Sequence, residues 1–119
     1  MAAEPQAEAP WSRQLRTGLL DLAILQHLRG DDVHGYALIT ALKQQGLMAP
    51  DGGEATVYQA LQRLAKAGLA TSAWSSPTGD ERPRKLYAIT KRGRSAAVQM
   101  AKDWRATRDA LDRLLEDDA

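Results

Sequence analysis

The chain has 119 residues, with 16 Lys and Arg against 15 Asp and Glu, for a formal net charge of +1 at pH 7. That length suits one compact domain with an appendage, and 44% apolar with 26% charged residues is an ordinary globular composition. Cysteine is absent, which excludes disulfides, thiolate metal sites, iron–sulfur clusters and a Cys nucleophile, and two histidines (His27 and His34) without HxxxH spacing leave no material for a histidine zinc site.

Residues 1–12 are rich in Ala, Glu and Pro and read as a disordered tail. No basic residue precedes Arg13, so a secretory start is missing. The longest apolar stretch, 19–28, is short and interrupted by Asp21, Gln26 and His27, too little to span a bilayer. The expected location is cytoplasmic, with no membrane partner.

Residues 15–28 follow a helical pattern with two apolar stripes: Leu15, Leu19 and Leu22, then Leu20, Ile24 and Leu28. A helix apolar on two sides needs cover from its own domain and from a partner subunit. After Gly30-Asp31-Asp32, a second helix is predicted over 34–45, with His34 as its N-cap and Gly46 as its stop. A third is predicted over 54–67, stopping at Gly68. Val57, Leu61 and Leu64 face its core, and Ala55, Thr56, Gln59, Gln62, Arg63 and Lys66 its opposite, acid-free face.

Residues 69–74 and 85–90 read as two strands joined by a turn-rich loop that ends in basic residues, a β-hairpin. From Arg82 to Arg94 there are six basic residues and no acid. Thr90 can cap a last helix reaching about residue 116, roughly 40 Å long. Its positions Ala97, Met100/Ala101, Trp104, Thr107/Arg108, Leu111 and Leu114/Leu115 make a coiled-coil-like seam. A second copy of the chain is the simplest cover for it.

Three helices and a two-stranded β-wing form a winged helix-turn-helix, here mainly α with a long C-terminal dimerisation helix. The implied division is 1–12 tail, 13–90 DNA-binding domain and 91–119 dimerisation helix. In this architecture the third helix enters the major groove and the wing meets phosphates, which is where Arg82, Arg84 and Lys85 fall.

The order and spacing of His34-Gly35-Tyr36, of Thr56, Tyr58, Leu61 and Arg63-Leu64, and of Arg82-Pro83-Arg84-Lys85 with Tyr87 and Ile89-Thr90 resemble the PadR family of bacterial transcriptional regulators. The resemblance covers nearly everything from residue 15 onward. The short end after the long helix resembles the compact subfamily, which implies a homodimer, a repressor role and release by small molecules.

Several residues carry a dull reading beside a functional one. Tyr58 and Tyr36 can simply pack over the helix-turn-helix; the resemblance implies a phosphate contact through the Tyr58 hydroxyl, and Tyr36 can donate to phosphate in the same way. Thr56, Gln59, Arg63 and Lys66 are DNA-contact candidates by position, since Gln suits adenine and Arg suits guanine in the major groove. Trp104 fills a dimer core in the plain reading. In the functional one it flanks a cavity with its symmetry mate, where the resemblance implies stacking of flat aromatic molecules. Ala97 and Ala101 leave room there, Leu15 and Leu19 can line it, and Trp74 matches a family tryptophan.

The expectation is therefore a homodimeric, sequence-specific DNA-binding regulator with a pseudo-palindromic operator and no cofactor, metal or catalytic residue. A winged-helix regulator of another family, or a protein-binding winged helix, is the alternative. No phosphate loop or Ser/His/Asp set supports an enzyme.

Overall fold

The computed structural model describes residues 10–50, 52–75 and 82–117. Four helices and three short strands follow in the order α1 (Pro10–Gly30), β1 (Val33–His34), α2 (Gly35–Gln44), α3 (Glu54–Lys66), β2 (Ala70–Trp74), β3 (Lys85–Ile89) and α4 (Lys91–Asp117). This is the expected mainly α winged helix-turn-helix with a long last helix.

Two boundaries differ from expectation. α1 begins at Pro10, so Pro10, Trp11 and Ser12 belong to a helix and not to the tail. Proline is favoured at a first helical position, where its missing N–H costs nothing. The rest of that tail, 1–9, lies outside the described residues, as do 76–81 of the wing loop. The sheet also has three strands rather than two, in the order β1-β3-β2, all antiparallel. Val33 pairs with Tyr87 and His34 with Leu86. His34 is thus both the last residue of β1 and the extended N-cap of α2.

The core lies where α1, α2 and α3 meet. Leu20, Ile24, Leu25 and Leu28 of α1 pack with Leu38, Ile39 and Leu42 of α2 and with Val57, Ala60, Leu61 and Leu64 of α3. Only one of the two α1 stripes is buried: Leu15 is exposed and Leu19 and Leu22 are half-buried.

α2 and α3 end alike. In each, the residue after the glycine donates back across the last turn (Leu47 N to Leu42 O, Leu69 N to Leu64 O), and the glycine is left-handed (φ +76 at Gly46, +77 at Gly68). This is the Schellman stop, which satisfies orphan carbonyls and needs positive φ.

Thr90 caps α4 as expected. Its hydroxyl accepts from Gly93 N at 3.0 Å and donates to Gly68 O at 2.7 Å, tying α4 to the turn after α3. A Cβ on Gly93 would collide with the Leu69 carbonyl oxygen, so only glycine allows this approach. Beyond Ala97 and Met100, α4 runs out past the core. Leu111, Leu114 and Leu115 are exposed.

Candidate nucleic-acid interface

α3 turns its apolar side inward and leaves Ala55, Thr56, Gln59, Gln62 and Lys66 in solvent. Lys43 near the end of α2 pairs with Glu54 at the start of α3 at 3.1 Å, bridging the turn between them.

Beside this face, the start of α2, the Tyr58 edge of α3 and the base of the wing enclose a cleft of about 380 Å³. Tyr36, Tyr58, Arg84 and Lys85 line it, together with His34, Gly35, Ala37 and Tyr87, and no described lining residue is acidic. Four expected DNA contacts, drawn from three separate stretches of chain, are thereby brought together.

The cleft is rigidly framed. The Tyr58 ring lies so close to Gly35 that a Cβ there would sit 2.7 Å from Cε1. Tyr58 remains 41% exposed and Tyr36 78% exposed, so both phenols reach solvent. His34 Nδ1 lies 3.2 Å from Lys85 O. At the wing base, Ser75 N donates to Arg84 O at 2.7 Å and Arg84 N to Ser75 Oγ at 3.1 Å. These bonds fix the backbone and leave the Arg84 guanidinium exposed. Burial, and then the proximity of Tyr58, push the Tyr87 phenol above its ordinary pKa, so it stays neutral.

Other expected residues lie elsewhere. Arg82 is exposed on the wing, outside the cleft. Gln59 and Lys66 stand on the open face of α3, and Thr56 lines a second cavity near the start of α1. Arg63 is not a free base-reading arm: its guanidinium donates to Asp21 Oδ1 of α1 at 2.7 Å. Sequence patterning does not mark Asp21 as functional; its one signal is an acid inside the apolar run 19–28.

The expected ligand residues are also divided. Ala97 is fully buried in the protomer's own core, so it does not line an outer cavity. Trp74 ends β2 and is covered by its cross-strand neighbour Lys85, whose Nζ is 5.6 Å from the ring centroid, a cation–π contact. Ala101 is half-buried and Trp104 and Leu15 are exposed. Among the described residues no group of three or more His, Cys, Asp or Glu is placed to hold a metal ion.

The family model for PadR-like transcriptional regulators matches residues 24–99, from the middle of α1 to the first third of α4. The chain belongs to the PadR-like family. It is 32% identical over 87 residues to the transcriptional regulator Rv3488 of Mycobacterium tuberculosis, covering 73% of this chain and 77% of that one. Among solved structures, a PadR family transcriptional regulator from Eggerthella lenta is 31% identical with a TM-score of 0.77, covering 89% of both chains. A PadR-like transcriptional regulator from Bacillus cereus is 26% identical with a TM-score of 0.73, covering 86% of this chain and 96% of that one. These relatives are transcriptional regulators, not enzymes, and the chain is a DNA-binding regulator of the same family. No described helix is long and apolar enough to cross a membrane.

Proposed function

We propose that the protein is a homodimeric repressor that acts in the cytoplasm on a pseudo-palindromic operator and is released by a small aromatic ligand. The observation that carries the DNA half is the cleft in which Tyr36, Tyr58, Arg84 and Lys85 converge beside the open face of α3. Two phenols and two cations without an acid suit a DNA phosphate. With the backbone anchored there, α3 lies in the major groove, Gln59 reads bases, and Thr56, Lys66 and Arg82 add phosphate contacts.

The dimer half rests on uncovered apolar surface. Leu15 on α1, and Trp104, Leu111, Leu114 and Leu115 on α4, are exposed in one protomer. A stripe of that length on a projecting helix calls for cover, and a second α4 supplies it. The effector then lies against Trp104, with Ala101, Leu15 and Leu19 around it. Ala97 and Trp74 have partners within the protomer and are not needed. Such a ligand releases DNA only by binding the DNA-incompatible arrangement more tightly.

Footprinting on the DNA upstream of its own gene, with and without a flat aromatic cation, tests the reading. Protection of two half-sites that the ligand removes supports it. Protection that the ligand leaves intact rejects the effector but not the operator.

A further inference from the structure

A second cavity, of about 370 Å³, lies between the first half of α1 and the start of α3, away from the cleft and from Trp104. Arg13, Thr17 and Leu20 recur every three or four residues and so share one face of α1, and that face forms one wall. The facing wall is Met48 from the loop after α2, with Thr56 and Val57 from the first turns of α3. Leu20, Met48 and Val57 are buried, so the floor is apolar. The rim is cationic: Arg13 and Arg16 both line the cavity, and no described lining residue is acidic. Arg16 has a partner of its own, whereas Arg13 makes no ion pair or hydrogen bond among the described residues.

Ligand sites are concave, mostly apolar and carry a few convergent polar groups, and this volume lies in their range. We infer that the cavity binds a small amphipathic carboxylate, its apolar body on Leu20, Met48 and Val57 and its carboxylate on Arg13, and that its occupancy sets how α3 sits against α1. A phosphate of the DNA backbone would use only the rim and leave the floor empty. A guanidinium facing a carboxylate is a strong charge-assisted pair, so the site prefers an anion to a neutral molecule of the same shape. The coupling to α3 rests on the proposed DNA-binding role of that helix; the binding itself does not.

Calorimetry without DNA tests the site, with octanoate and its neutral counterpart octanamide as probes. The wild type is expected to bind octanoate at least tenfold more tightly than octanamide. Arg13→Gln should abolish that preference, and Thr17→Phe, which fills the cavity from an exposed helical position, should abolish binding of both. Circular dichroism checks that both variants are folded. Equal affinity for the two probes, or octanoate binding that survives Thr17→Phe, overturns the site. So does Arg13→Gln weakening random-duplex binding while sparing octanoate, because the rim then belongs to the DNA face. Saturating octanoate should also change wild-type duplex affinity at least threefold; binding without such a change overturns the coupling to α3. Because the first measurement contains no DNA, its failure leaves the operator reading standing, and failure of duplex binding leaves the site standing.

Discussion

Arg63 of α3 and Asp21 of α1 are joined by a 2.7 Å ion pair across the helix-turn-helix. The pair fixes the rotation of α3 about its axis relative to the helix that carries the Leu15 and Leu19 stripe. A change in how α1 is held in a dimer is therefore felt directly by the DNA-facing helix.

The first prediction concerns this pair. Both side chains are partly exposed, so a double-mutant cycle of Asp21→Asn and Arg63→Ala in urea denaturation should give a coupling of about 0.2–1 kcal/mol. Arg63→Ala should lower affinity for specific and random duplexes alike. A selective loss on the specific site would show that Arg63 leaves Asp21 to read a base.

Gln59, by contrast, has no partner among the described residues that holds it back from the open face. Gln59→Ala should cost about 1–3 kcal/mol on the specific site if its contact is bidentate, with little change on random DNA. Competition between the two duplexes measures it, and equal losses on both would reassign Gln59 to the phosphates.

Much of this fold is legible in the sequence because its signals are periodic or punctuated. The Val57, Leu61 and Leu64 spacing marks the buried side of α3. Gly46 and Gly68 mark two helix ends, and Thr90 marks the start of α4. What escapes patterning is short or depends on tertiary contact. Two residues, Val33 and His34, are too few to show a strand period. Pro10 starts a helix in a composition that otherwise resembles a tail. The Arg63–Asp21 pair joins residues 42 positions apart, and Ala97 is claimed by the protomer's own core because α4 packs on α1.

Gly35 should be intolerant of a side chain. Gly35→Ala forces the Tyr58 ring aside and distorts the cleft, at a cost of about 1–3 kcal/mol in stability from overpacking. Affinity should fall for every duplex. Denaturation together with random-duplex binding checks both, and unchanged values would mean that the ring moves freely.

For the wing, alanine at Arg82, Arg84 or Lys85 should reduce the salt slope of duplex binding by about 0.9 for each phosphate that is no longer neutralised. Titrations across salt concentration read this. An unchanged slope with impaired specificity would place the wing on base edges.

Tyr87 sets an alkaline limit. Its phenol is raised above the ordinary value of 10.0 chiefly by burial. A group that holds its proton more tightly when folded contributes stability below the unfolded pKa and loses it as pH rises through the folded one. Stability should therefore fall as pH climbs above 10, and Tyr87→Phe should flatten that fall in denaturation curves taken across the range. An equally steep fall in the variant would assign the effect to other groups.

The central claim is that two copies of this chain read DNA in sequence through α3 and grip it through the Tyr36–Tyr58–Arg84–Lys85 cleft. Selection from a random-sequence duplex library tests it most directly, run in parallel on the wild type and on Leu111→Asp, which places a charge in the α4 seam. The wild type should enrich a pseudo-palindrome whose half-sites are centred about one helical turn apart, roughly 34 Å, and Leu111→Asp should enrich nothing. No enriched motif from the wild type, or the same palindrome from both proteins, would contradict the account.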